Sequence, residues 1–262
     1  MSSTLLSQEK YIHAGKIYDS NSGKYHLNKT IIVSENIISS IEDGFIVPDN
    51  ENIIVYDLKS KVLLPGLIDF HVHMESESGG KERYINRFQD NKADVAFKST
   101  VVAKKTLLAG FTTVRDVGGS GVNISLRNAI NSGVVVGPRI FTSGKTIATT
   151  GGHGDPTNGY REGLVADPGP KDGVVNSISD ARKAVRYRYK NGADLIKITA
   201  TGGVMSMAKN GQNPQFTEQV IDAIVTTAND YGMHVAAHAH GDEGMYRAVK
   251  SGVKTIEHGS IM

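Results

Sequence analysis

Lys61-Val62-Leu63-Leu64-Pro65-Gly66-Leu67-Ile68-Asp69-Phe70-His71-Val72-His73 is the stretch from which the fold is read. Its apolar run reads as a buried strand, about 63–70, ending in two alternating histidines. Residues two apart on a strand face the same side, so His71 and His73 would present both imidazoles to one cavity, as half of a divalent-metal site. A pair of solvated surface histidines is the competing reading. Zinc takes three or four protein ligands in most sites, so the choice depends on finding the others.

Two more apolar strands run into histidines: Val235-Ala236-Ala237-His238-Ala239-His240-Gly241 and Thr255-Ile256-Glu257-His258-Gly259. Before them comes Asp194-Leu195-Ile196-Lys197-Ile198-Thr199, where a lysine interrupts a run that should be buried. Burying an ammonium is costly unless it is paired or neutralised. Lys197 could pair with a carboxylate such as Asp116 or Glu257. Beside five candidate ligand histidines, a second reading is favoured. A buried lysine of lowered pKa reacts with carbon dioxide to form a carbamate, a carboxylate-like group able to bridge two cations.

Composition narrows the function classes. With 29 basic and 27 acidic residues among 262, the net charge of +2 is too small and dispersed for nucleic-acid or membrane binding. No apolar stretch reaches the roughly 18 residues of a bilayer span, and Met1 to Lys10 lacks the apolar core of a signal peptide, so a soluble, cytoplasmic chain is expected. The chain has no cysteine, so its metal ligands must be nitrogen and oxygen.

Short strand-like pieces such as Tyr11–Tyr18 and Thr30–Ser34 suggest a small β domain over residues 1–62. From Leu63 the rhythm becomes strand and helix in alternation. Helices are expected to close at Gly110, Gly192, Gly232 and Gly252 in the left-handed conformation, each followed by a strand. One helix can be read in detail, with Thr217 as cap and Val220, Ile221, Ile224, Val225 and Ala228 along its apolar face. Six strands follow from Leu63, near 63–70, 112–117, 138–143, 194–200, 233–239 and 254–258. An open parallel sheet and a closed barrel both fit this alternation. The candidate ligands lie at the C-terminal ends of widely separated strands, and only a closed barrel brings such ends together.

Taken together, His-x-His behind Pro65-Gly66-Leu67-Ile68-Asp69, Lys197, His238 and His258 resemble the amidohydrolase superfamily of metal-dependent hydrolases on a distorted barrel. Thr112-Thr113-Val114-Arg115-Asp116, Gly137-Pro138-Arg139-Ile140, Thr150-Gly151-Gly152-His153-Gly154, Lys197-Ile198-Thr199-Ala200-Thr201-Gly202-Gly203-Val204 and His238-Ala239-His240-Gly241 are similar to one branch of it. That branch contains Xaa-Pro dipeptidases and arginine carboxypeptidases and is related to imidazolonepropionases.

The resemblance implies that His71 and His73 bind one zinc ion, that His238 and His258 bind a second, and that carbamylated Lys197 bridges them. It also implies a metal-activated hydroxide as nucleophile. His240 and His153 would bind a substrate carboxylate or the developing oxyanion, and Gly151, Gly152, Gly202 and Gly203 would let backbone approach the substrate. The superfamily takes its proton-shuttling aspartate from an eighth strand, and no residue here matches it. The expected fold is therefore α/β: a (β/α)8 TIM-like barrel over 63–262, truncated after strand six, behind the N-terminal part of a small β-sandwich domain. The expected activity is hydrolysis of amide or peptide bonds in a dipeptide or other small molecule, with a cyclic amide as in imidazolonepropionase as the alternative. A non-catalytic metal-binding fragment is the rival from another class. Six strands leave two sheet edges unpaired, which allows a homo-oligomer. The chain is accordingly expected to be a C-terminally shortened fragment that folds poorly and is inactive alone.

Overall fold

The computed structural model describes residues 9–77, 79–204 and 210–261. The first eight residues, which belong to the stretch read for a leader and to the β domain, lie outside the described residues, as does Met262. The chain divides into two compact units, one ending at Gly66 and one beginning at Leu67.

The first unit is a mixed sheet of order β3-β2-β1-β4, from β1 (Lys10–Asp19), β2 (Lys24–Ser34), β3 (Ile37–Asp43) and β4 (Ile54–Leu63). Ala14, Ile17 and Ile31 form its small core, while Ile37, Ile38, Val55 and Tyr56 are exposed. Among the described residues this is one sheet, where a sandwich was expected. Alternation along a strand reports which residues share a face; it does not report whether a second sheet covers that face.

The second unit alternates strand and helix. Its elements are β5 (Leu67–Val72), α1 (Gly80–Gln89), α2 (Lys92–Leu108), β6 (Phe111–Asp116), α3 (Val122–Asn131), β7 (Arg139–Thr142), α4 (Ile178–Lys190), β8 (Ile196–Thr199), α5 (Glu218–Asp230), β9 (Val235–Ala239), α6 (Asp242–Lys250) and β10 (Thr255–His258). β5-β6-β7 and β8-β9-β10 are each parallel. The segment after β7 links them: Ile147 pairs with Ile198, and the Asp194 N–H donates to the Thr142 carbonyl at 2.8 Å. All six strands are thus joined in sequence order, with their C-terminal ends on one side. No helix among the described residues is long and apolar enough to cross a membrane.

The helix ends fall where the glycines placed them. Gly110, Gly192, Gly232 and Gly252 all have positive φ, between 69° and 98°, which a residue with a Cβ adopts only under strain. α5 buries Val220, Ile221, Ile224, Val225 and Ala228 as read, and adds Ala223 and Thr227. These pack with Ala181, Ala184 and Val185 of α4 and with Ile196, Ile198, Val235 and Ala237 of the sheet into the largest core cluster. Thr217 occupies the cap position of α5 without a side-chain cap bond, whereas Ser177 of α4 accepts from the Asp180 N–H at 3.1 Å.

The first strand departs from expectation. It starts at Leu67, and Leu67, Ile68 and Phe70 are about half exposed or more. β5 pairs on one side only, with β6, so an apolar run that reads as buried from composition lies at a sheet edge.

Candidate metal centre

The C-terminal ends of β5, β9 and β10 bring five imidazoles into one cluster, and the loop after β7 adds a sixth. Ring centroids are 5.4 Å apart for His71 and His73, 4.7 Å for His71 and His258, 4.8 Å for His238 and His258, and 4.7 Å for His238 and His240. His240 stacks on His258 at 5.0 Å, and His153, from the loop after β7, stacks on His238 at 4.3 Å. The structure thus brings together all six histidines singled out in the sequence. His258 reaches the cluster because its φ of +73° turns it out of the strand direction. A bulky residue in that region is unusual and is held there by its surroundings.

Several rings are oriented by hydrogen bonds that leave a defined nitrogen for a ligand bond. His71 Nδ1 donates to Glu257 Oε2 at 2.9 Å and His73 Nδ1 to the Gly118 carbonyl at 2.7 Å, so Nε2 is the nitrogen of each that would face a metal. His238 is the reverse: its Nε2 donates to the Gly202 carbonyl at 2.8 Å, so Nδ1 is the nitrogen that would bind a cation. One ligand atom from each of His238, His240 and His258 lies within 4.8 Å of the others, close enough for one cation to engage all three. His240, read from sequence as a substrate group, is thus placed as near to His238 and His258 as they are to each other.

The electrostatics suit metal ligation. Burial, with the neighbouring His153, His258 and Lys197, pulls His238 down to about 3 against an opposing bond to Gly202. His258 is held at about 4, chiefly by desolvation and then by His71 and Lys197. Both rings are neutral at pH 7 and carry a lone pair, as a divalent cation requires. His153 is also lowered, chiefly by burial, and its Nδ1 is buried with no hydrogen-bond partner among the described residues. A buried donor or acceptor without a partner is rare enough to point to something that would satisfy it.

Lys197 sits on β8, 4% exposed, and burial, assisted by Arg115 and opposed by Glu257, lowers it to about 8. The two carboxylates considered as its partners are engaged elsewhere. Glu257 takes His71, Arg115 and Thr255, and Asp116 takes the Met74 and Gly118 N–H groups and Asn123 Nδ2 at 2.9–3.1 Å. Burial outweighs those bonds and raises Asp116 to about 6. Asp116 thereby fixes the backbone on both sides of His73, through Met74 and through the Gly118 whose carbonyl holds the ring. Sequence reading passed over this supporting layer. An acid inside the apolar run of β10 poses the same burial problem as Lys197, and that signal could have drawn attention to Glu257.

Two glycines assigned to substrate approach have a different task. A Cβ at Gly202 would meet the Asn210 carbonyl oxygen at 2.3 Å, and one at Gly203 would meet His153 Cε1 at 2.4 Å. Their space is filled by protein. Gly203→Ala is expected to push the His153 ring off His238, which a crystal structure of the variant would show; an unmoved ring would contradict the steric argument.

A model of the amidohydrolase family matches residues 62–262. Ochratoxinase of Aspergillus niger is 31% identical over 98% of this chain and 56% of its own length. Among solved structures, a Xaa-Pro dipeptidase with methionine bound in its active site is 52% identical with a TM-score of 0.90, covering 96% of this chain and 61% of that one. A prolidase complexed with N-methylphosphonate-L-proline is 34% identical with a TM-score of 0.84, covering 97% and 62%. The chain therefore spans 56–62% of the length of these relatives.

Proposed function

The chain belongs to the amidohydrolase family, and on that premise we propose that it is a metal-dependent hydrolase of carbon–nitrogen bonds, of the dipeptidase or carboxypeptidase type. The observation that carries this reading is the meeting of histidines from β5, β9 and β10, with ring nitrogens already directed, beside a lysine lowered to about 8. His71 and His73 would hold one zinc ion and His238 and His258 a second, with Lys197 as its carbamate between them. A bound metal pair supplies a water acidified to near neutrality and polarises the scissile carbonyl.

The chain's own residues have separable tasks. Glu257 and the Gly118 and Gly202 carbonyls fix the ring orientations. Lys197 loses its proton to give a neutral amine, whose nitrogen bonds the carbon of carbon dioxide; loss of a second proton leaves the carbamate. His153 and His240 would donate N–H bonds to a substrate carboxylate or to the oxygen that gains charge. The names of the neighbours, Xaa-Pro dipeptidase and prolidase, favour a linear dipeptide over a cyclic amide.

Zinc-loaded full-length protein incubated with a panel of Xaa-Pro and other dipeptides is expected to release free amino acids, and His71→Ala to abolish the release. Unchanged turnover in that variant would remove the metal-centre reading.

A further inference from the structure

β5 is an edge strand, yet the histidine near its end is held in place from β10. The contact runs through three side chains, Arg115 and Glu257 buried and Thr255 half-buried. Arg115 on β6 donates from Nε to the Phe70 carbonyl at 2.7 Å, from Nη1 to Thr255 Oγ1 at 3.0 Å, and from Nη2 to Glu257 Oε1. Thr255 Oγ1 in turn donates to the same Oε1 at 2.8 Å, leaving Oε2 to accept from His71 Nδ1 at 2.9 Å. Glu257 is 6% exposed, so these bonds are shielded from competing water.

Two features make this more than a structural ion pair. The planar guanidinium engages both the carbonyl immediately before His71 and the carboxylate on the His71 ring, so it ties backbone and imidazole of one residue to a common reference. Glu257 and His258 would lie on opposite faces of a regular strand, and the turned backbone at His258 lets both serve the same cluster.

We propose that Glu257, braced by Arg115 and Thr255, is the positioning residue for His71, fixing the proton on Nδ1 so that Nε2 is presented to a divalent cation. This rests on the metal-centre reading above for its consequence, though not for its geometry. Carboxylates behind a ligand histidine set its tautomer and raise its basicity.

Glu257→Gln separates this role from packing. The side-chain amide has one acceptor oxygen and one donor nitrogen, while His71 and Arg115 are both donors, so one of them must lose its bond. Nitrogen-15 spectra of the histidine rings in metal-free protein are expected to show His71 protonated on Nδ1 in the wild type and redistributed toward Nε2 in the variant. Zinc affinity, measured by chelator competition, is expected to weaken roughly 10–100-fold. A folded variant with the wild-type tautomer and unchanged zinc affinity would overturn the proposal. Thr255→Val, which removes one support of Oε1 with little change in shape, is expected to shift the same readouts less; if Glu257→Gln fails to fold, unchanged readouts in Thr255→Val and Arg115→Lys would overturn it. Wild-type protein that binds no zinc would defeat the metal-centre reading, while the tautomer measurement would still decide the positioning role.

Discussion

Lys197→Ala is expected to lose hydrolytic activity and retain zinc poorly, and short carboxylic acids added to the variant are expected to restore part of both. The side chain sits in an apolar run, 4% exposed, with Leu195, Ile196 and Ile198 fully buried around it. Burial lowers its pKa to about 8, so a useful fraction is neutral amine at neutral pH, whereas a solvated lysine is almost entirely charged. The neutral amine would capture carbon dioxide, and native mass analysis should then find the added mass on the wild type and not on the variant. Formate or acetate can occupy the vacated space and supply the two oxygens that alanine lacks. A metal-loaded crystal with a bare lysine paired to a carboxylate, or a fully active Lys197→Ala, would refute the carbamate.

The parts of this centre that were legible in the sequence are those whose logic is local. Each apolar run into a histidine marks a strand end, and each glycine before a strand marks a helix end, because periodicity and left-handed backbone are decided by near neighbours. Lys197 was legible because a charge in a buried run needs an explanation. The partnership of Arg115 and Glu257 was not, since it spans 142 residues: Glu257 drew notice only as a possible partner of Lys197, and nothing local ties it to Arg115 or His71. Asp116 was read only as a possible partner of Lys197 for the same reason: its partners Met74 and Asn123 lie 42 positions before and 7 positions after it. The edge position of β5 is one of the two that a count of six strands expects, while its composition alone, which reads as buried, cannot say whether an apolar strand has one neighbour or two. In the β unit the described residues form one sheet, and alternation along β1 and β2 is the same whether or not another sheet lies across that face.

Acid is expected to destabilise the metal-free protein from about pH 6.5 downward, although Asp116, raised to about 6 by burial, takes up its proton in the folded state first and offsets part of the loss below that pH. His238 carries most of this effect. Its folded pKa, lowered to about 3 chiefly by burial, lies below the 6.5 of the unfolded chain. Above pH 6.5 both states hold the ring neutral and nothing is lost. Between 6.5 and about 3 the unfolded state takes up a proton that the folded state refuses, so each pH unit costs about 1.4 kcal/mol for one such ring. His258, lowered to about 4, acts in the same direction but is more exposed, and solvent screening reduces its share. Glu257 adds a later loss. Although burial raises it, bonds from His71 and Thr255 and the charges of Lys197 and Arg115 hold it at about 2, so the stability it contributes above pH 4.5 disappears only as pH falls from there toward 2. Zinc would bind the folded state through neutral rings, so saturating metal should move the acid midpoint lower. Denaturant unfolding followed at successive pH values, with and without zinc, measures both effects. Stability that stays level from pH 7 to 5, with no response to metal, would contradict a buried histidine centre.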